Sequence, residues 1–354
     1  MGLRMFRILI HFIRKGSHKI RLMPFKVTFF FLLLLWYSST GYLYFEMQAK
    51  PDLKISDTIW WAMVTMTTVG YGDFFPETAG GRFLIGIPTM ILGIGLLGYI
   101  LSEVASRLIE SKSRRIHGMA ETKFHDHIII VNFVGMEKIL KLMDELSRDP
   151  STRSKGICLI DENLDELPAM LDDRDVDFVR GNPTTESILR QAGLPDASHA
   201  LILARNPTDP HSDDQNLATI LMIEHMNPQV ISVAECVDPT KITQMEAAGC
   251  DSVVCVSELS TNLMVQEMLD PGVKQVISEI TSNTFGQQIY IVPLSAMKDW
   301  NYSQLTAWAC SKNLLLMGLQ REGRVYLNCS ADFVVKPEDR VIVLAAERPA
   351  PVQA

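Results

Sequence analysis

Nowhere in the chain do two cysteines form a C-x-x-C pair, and no histidine stands at zinc-finger spacing from a cysteine. The six cysteines, at 158, 236, 250, 255, 310 and 329, all fall beyond the apolar amino-terminal part. They read as reduced cytosolic thiols that serve as packing residues. A dense basic stripe is also missing: 33 Lys and Arg stand against 41 Asp and Glu, for a net charge of -8. That balance argues against nucleic acid as a partner. No segment carries Arg at every third position, which excludes a voltage sensor. Residues 1 to 23 mix Phe, Ile, Leu and Met with Arg4, Arg7, Arg14, Lys15, Lys19 and Arg21, without a small-residue cleavage site. An amphipathic helix in the membrane interface, over 1–24, is expected there rather than a cleaved signal peptide.

What is present divides at about Arg115. Before it, apolar runs dominate. After it, short apolar runs alternate with charged, helix-like stretches. Phe25 to Phe45 is long enough to cross the hydrocarbon core once, and Phe83 to Leu108 supplies a second span. Between them, Thr58 to Thr67 is too short to cross and comes directly after Asp57 as a cap, so a pore helix is expected. Its carboxyl end would aim the negative end of its dipole at a cation. Trp60 and Trp61 are expected to brace the irregular segment at 68–73. Seven Lys and Arg lie before or at the start of the first span, Lys26 being the last, and five lie at or just beyond the end of the second, Arg107 being the first, whereas the segment between holds three against five acids. Both termini are therefore expected in the cytoplasm of a multi-pass protein of the plasma (inner) membrane.

At the centre of this part lies Thr65-Met-Thr-Thr-Val-Gly-Tyr-Gly-Asp73. Gly70 and Gly72 permit backbone angles closed to other residues, so that the carbonyls of Thr68, Val69, Gly70 and Tyr71 can point one way. Four copies around an axis would replace the water shell of a K+ ion, with the Thr68 hydroxyl as a further ring. Tyr71 would point outward, and Asp73 ends the segment. The stretch strongly resembles the signature of the potassium channel family, which implies a homotetramer in a lipid bilayer. In the second span Gly86, Gly93, Gly95 and Gly98 either allow close packing or let the helix bend. The same resemblance makes Gly93 the first choice for a gating hinge and Gly98 the second. Leu97, Leu101 and Ala105 share one helical face and are candidates for the gate.

From His127 onward the chain alternates strand and helix, with strands expected at 127–131, 156–160, 176–179, 200–203, 230–233 and 252–255. That order argues for a doubly wound parallel sheet whose ligand crevice lies at the strand-order reversal. The runs Val179-Arg-Gly-Asn-Pro-Thr-Thr-Glu, Ala234-Glu-Cys-Val-Asp-Pro and Ala247-Ala-Gly-Cys-Asp-Ser resemble the RCK domain, the regulator of potassium conductance. Together the two resemblances imply a prokaryotic two-transmembrane, ligand-gated potassium channel. Its expected domains are a pore over 25–107, a linker over 108–124, a Rossmann-like α/β lobe over 125–258, a crossover helix over 259–276 and a small α+β lobe over 277–354.

The resemblance implies a site for an adenine nucleotide or NAD at Asn132, Gly135, Asp161, Gly181 and Asn182. The usual glycine-rich turn reads Asn132-Phe-Val-Gly135, so two expected glycines are missing, and Asn182 replaces a common Asp. Asp161 stands where a ribose partner belongs. Candidate Ca2+ ligands are Glu235, the pair Asp213 and Asp214, and the acid run from Asp161 to Asp177, although no EF-hand spacing is present. His125 and His127 frame Asp126, where a start of a strand is the plainer role than a metal site. Gating rings of the family hold eight RCK modules, so separately made soluble copies beginning at Met119 are a further expectation. Two other functions compete: a non-conducting regulatory subunit of potassium transport, and a membrane-anchored dinucleotide enzyme. The second lacks an acid, base or nucleophile set.

Overall fold

The computed structural model describes residues 18–295, 300–350 and 352–353. Most of the interfacial helix expected over 1–24 lies outside these residues. Residues 18 to 24 continue the outer helix α1 (His18–Glu46) rather than forming a separate element. The chain divides into two compact units, Met1–Lys112 and Ser113–Ala354.

In the first unit α1 leads to a short helix α2 (Ile55–Met66), a π-type segment over Gly81–Gly86, and α3 (Ile87–Ile116). Phe25–Glu46 and Gly81–Ile116 are long and apolar enough to cross a membrane. Helix α2 begins three residues earlier than the sequence suggests. Asp57 sits in its first turn and accepts from the Lys54 backbone N–H at 3.1 Å, closing the helix start from inside. Buried hydroxyl pairs tie the helices together: Ser39 to Thr58 at 2.7 Å and Ser38 to Thr89 at 2.8 Å. Tyr42 stacks on Trp61, with ring centroids 4.4 Å apart, and its hydroxyl donates to the Phe75 carbonyl. In a medium without water such pairs satisfy groups that would otherwise be left bare.

The second unit opens on a six-stranded parallel sheet. Its strands are β1 (His127–Val131), β2 (Ile157–Asp161), β3 (Asp177–Arg180), β4 (Ala197–Ile202), β5 (Ile231–Cys236) and β6 (Ser252–Cys255). They lie in the order β3-β2-β1-β4-β5-β6, so the order reverses between β1 and β4. β1 is buried along its whole length, which explains its unbroken apolar run. One face of the sheet packs on Ile220 and Ile223, the other on Ile139 and Leu171. A helical pair, Val256–Leu269 and Val273–Thr281, leads to a five-stranded sheet of β7 (Gln288–Ser295), β8 (Leu315–Arg321), β9 (Arg324–Leu327), β10 (Arg340–Ala345) and β11 (Val352–Gln353), ordered β11-β7-β10-β8-β9. That smaller lobe has its own core around Leu305, Leu319 and Val341. It is fastened to the first lobe by Arg348 on Asp149 at 2.6 Å and by Glu145, which accepts from Ser282 and Asn283.

The segment expected as a linker, 108 to 124, is not a free connector. α3 continues to Ile116, and the residues after it are built into the lobe. Leu167 N–H donates to the Ile116 carbonyl at 2.8 Å, and Arg180 N–H donates to the Gly118 carbonyl at 3.1 Å. Gln191 donates to the carbonyls of Gly118 and Ala120. Arg115 pairs with Asp172 and Asp175, and Lys123 with Asp175 at 2.9 Å. Only glycine fits at 118, where φ is +68° and a Cβ would lie 2.3 Å from the Arg180 nitrogen.

Candidate functional site

The first site is the turn after α2. Thr68, Gly70 and Gly72 have φ of 63°, 58° and 77°, whereas Val69 and Tyr71 between them keep negative φ. Alternating positive and negative φ can turn successive carbonyls to the same side, which a regular strand cannot do. Thr68 holds this angle without the freedom of glycine, at a cost of about 1–2 kcal/mol. The end of α2 supports it: Thr68 N–H donates to Thr65 O at 3.1 Å, and Val69 N–H to Val64 O at 3.0 Å. Trp60 braces the far end, donating from Nε1 to Asp73 at 2.8 Å and stacking on Tyr71 at 5.8 Å between centroids. Trp61 faces inward onto Tyr42 instead, so the two tryptophans divide the work.

Behind the turn, Glu46 is fully buried at the end of α1 and accepts from both the N–H and the hydroxyl of Thr78. Gly81 has to be small, because a Cβ there would lie 2.4 Å from Glu46 Oε1. The residue pattern does not single out Glu46; its one signal is an acid closing an otherwise apolar span. Helix α3 runs unbroken through Gly93, Gly95 and Gly98. Gly93 is a packing glycine in this conformation, since a Cβ would come within 2.7 Å of Met66 Cα. Gly98 has open space around it. Within one chain, Leu101 and Ala105 are exposed and Leu97 is half-buried.

The second site is the crevice beyond the carboxyl ends of β1 and β4. Asn132 has φ of 73° and Gly135 φ of 119°. Asparagine is the residue type that best tolerates a left-handed angle after glycine, so the turn keeps its shape although a glycine is gone. Gly135 then starts the helix α4 (Met136–Arg148) with no side chain capping its first N–H groups. Those groups and the dipole behind them suit an anion. Arg205, at the end of β4, reaches over the crevice to Asn132 Oδ1 at 3.3 Å and Glu162 at 3.4 Å, with its Nε buried and unpartnered. Nothing in the sequence marks Arg205, which only the β1–β4 adjacency brings to this place.

The ribose end fits a dinucleotide poorly. Asp161 is 3% exposed, and its carboxylate already accepts from the N–H groups of Phe133, Asn163 and Leu164 at 2.7–2.8 Å. Three of its roughly four acceptor positions are taken. Through these bonds it ties the loop after β1 to the loop after β2. Gly181 packs under Ile188, and exposed Asn182 accepts from Thr184 in a local turn.

The candidate calcium ligands are also engaged, and apart. Both carboxylate oxygens of Glu235 accept from Lys138 Nζ at 2.7 Å, and one of them accepts from the Ala204 N–H as well. Asp213 is buried and accepts from Val237 and Asp238 N–H, fixing the loop after β5. Asp214 pairs with Lys241, which holds its carboxyl below the usual range. In the acid run, Asp165, Asp172 and Asp175 pair with Arg180, Arg115 and Lys123, and Asp177 accepts from Thr122 and Lys123. Among the described residues no three His, Cys, Asp or Glu side chains gather as a metal site. His125 faces Asp196, Asp126 faces Lys155, and His127 is buried with Nε2 on the Ala192 carbonyl.

Comparison with known proteins agrees with this division. Residues 29–110 match the family described as Ion channel, and residues 138–256 match the TrkA-N domain. The chain is similar to the calcium-gated potassium channel TvoK of Thermoplasma volcanium, 27% identical over 363 residues, covering 98% of this chain and 97% of TvoK. It is also similar to potassium channel protein 1 of Methanocaldococcus jannaschii, 26% identical over 239 residues, covering 65% of this chain and 68% of that protein. Among solved structures, the GsuK channel bound to NAD aligns with 93% of this chain at a TM-score of 0.48 and 18% identity. The chain spans 58% of the length of that structure.

Proposed function

We propose that this chain, whose two regions match the Ion channel family and the TrkA-N domain, is a homotetrameric, ligand-gated channel selective for K+ that joins a two-span pore to a cytoplasmic RCK domain. The observation that carries this reading is the alternation of positive and negative φ through Thr68–Gly72, a backbone that suits carbonyls serving as substitutes for a hydration shell. Purified protein in vesicles should pass K+ and exclude Na+, with currents reversing near the potassium equilibrium potential. Equal permeability to the two ions refutes the reading. The protein lies in the plasma (inner) membrane with both termini in the cytoplasm, as the Lys and Arg distribution supports.

Gating depends on how residues 115–123 are held. Ion pairs and backbone bonds fasten the segment after the inner helix to the lobe, so a ligand that shifts the lobes acts on the helix ends with little slack. The ligand must bind the open and closed rings with different affinity. Opening moves α3 at Gly93 or Gly98 and widens the passage at Leu97, Leu101 and Ala105. The open helix N-terminus and Arg205 favour a phosphate-bearing ligand, such as an adenine nucleotide, over a dinucleotide held in the usual way at Asp161. TvoK is described as calcium-gated; a Ca2+ ion in this chain would first have to displace Lys138 from Glu235. Isothermal titration of the purified channel with ATP, NAD and Ca2+ separates the three.

The helical pair Val256–Leu269 and Val273–Thr281 has no buried residue, and Leu259, Met264, Met268 and Val276 are exposed. Such a face suits pairing with a second RCK module, toward a ring of eight. Soluble copies beginning at Met119 would supply the other four without Arg115 or Gly118. A single full-length band from the native assembly would count against them. With an intact turn at Thr68–Asp73, a pore-forming role is favoured over a regulatory subunit or an enzyme.

A further inference from the structure

Between α1 and α3, in the half of the pore unit nearer the chain's amino end, lie two adjoining cavities of about 480 and 260 Å3. Both are lined by Val27 and Tyr99, so they form one groove along the helices. The larger falls within the range of about 300–1,000 Å3 that small-molecule sites occupy. Its walls are apolar, with Phe30 and Leu92 among them. Gly95 opens the wall of α3, because a Cβ there would meet nothing within 4 Å. On a helical wheel Gly95, Tyr99 and Glu103 lie roughly 180° from Leu97, Leu101 and Ala105. The groove therefore faces away from the line of gate candidates.

Two cations stand along the groove. Lys26 is exposed at the end of an apolar span and takes part in none of the hydrogen bonds or ion pairs of the described residues. Arg107 gives only its Nε to Glu103, at 2.7 Å, which leaves its terminal nitrogens directed elsewhere. Two positive groups against one carboxylate leave a net positive charge beside an apolar channel. An ammonium at the edge of a span is stabilised by reaching a headgroup phosphate, and basic pockets between spans on the cytoplasmic side favour anionic headgroups. We propose that this groove binds an anionic phospholipid of the cytoplasmic leaflet, its phosphate on Lys26 and Arg107 and an acyl chain along Val27, Phe30, Leu92 and Gly95. The leaflet rests on the orientation proposed above.

The test is native mass spectrometry of the full-length assembly, delipidated and then titrated with phosphatidylglycerol or phosphatidylcholine. Phosphatidylglycerol should be retained preferentially, with roughly fivefold selectivity contributed by each basic residue. Lys26→Gln and Arg107→Gln should each remove that share, whereas Lys54→Gln, outside the groove, should not. Gly95→Phe fills the groove without altering charge and should release phosphatidylglycerol from an assembly of unchanged subunit number. Equal retention of the two lipids, or full selectivity in Lys26→Gln, overturns the proposal. So does a groove taken up by a second copy or by residues 1–17, read as no bound lipid in the intact assembly. Lipid retention is read without ion flux, so an assembly that keeps lipid yet passes no K+ refutes the channel reading alone.

Discussion

The turn at Thr68–Gly72 and the turn at Asn132–Gly135 both need left-handed backbone, and the chain meets that need in different ways. In the first, two glycines and one threonine adopt it, and what they shape is the backbone itself. In the second, Asn132 adopts it where a glycine is usual, and side chains around it bond to one another and to the backbone. Asn132 meets Arg205, and Asp161 holds three N–H groups. A site built from carbonyls tolerates no substitution of its glycines, whereas one built from side chains can exchange residues and shift its ligand.

The largest expected effect tests that contrast directly. Gly70→Ala places a Cβ at φ +58°, costing about 1–2 kcal/mol per copy in a fourfold ring, and should abolish K+-selective flux in vesicles. Asn132→Gly should leave flux selectivity untouched and alter only ligand response. If Gly70→Ala conducts with normal selectivity, the backbone is not the site. Next in size is Asp161→Ala, which strands buried N–H groups worth about 1–3 kcal/mol each. The melting temperature should fall by several degrees, at about 2–4 °C per kcal/mol. A ribose-binding Asp161 would instead lose nucleotide binding in the same titration with its melting point unchanged.

Arg115→Ala tests the connection between the two regions. Its pairs with Asp172 and Asp175 raise its own pKa and hold the last turn of α3, and charged hydrogen bonds of this kind contribute about 1.5–3 kcal/mol. Flux should stay K+-selective but lose most of its dependence on ligand. Selectivity lost together with ligand response would mean that Arg115 supports the assembly as a whole.

These contrasts also mark what could be read from the residues alone. Strands β1 and β2 are legible because buried strands form apolar runs, the other four because strand and helix alternate, and the turn after α2 is marked by a local pattern within Thr65–Asp73. The roles of Asp161, Arg115 and Glu46 are not. Arg115 meets Asp172 across 57 residues, Glu46 meets Thr78 across 32, and Phe133 finds Asp161 across 28. An acid run next to a crevice has the composition of a cation site. Only tertiary contacts reveal that Arg115, Lys123 and Arg180 already pair with Asp165, Asp172 and Asp175 of that run.

The smallest effect concerns pH and again separates the two regions. Burial, chiefly, pushes the His127 imidazole below its usual pKa, and burial together with Lys155 does the same to His199. Both lie in the parallel-sheet lobe, while the Thr68–Gly72 turn offers backbone oxygens, which do not titrate. A histidine neutral in the folded state contributes stability that is whole above its unfolded pKa of about 6.5 and is lost as pH falls from there through the folded value. Each unit of depression amounts to at most about 1.4 kcal/mol. Glu224, whose pKa is raised by burial, works the other way, contributing most below the ordinary glutamate pKa and less as pH rises through its folded one. Between about pH 6.5 and 5 the lobe should therefore lose stability modestly, and His127→Gln should flatten that slope while leaving K+ selectivity constant. Thermal melts at successive pH values, run beside flux assays on the same vesicles, check it. A selectivity that falls with the lobe's melting point would show that the pore turn depends on the lobe after all.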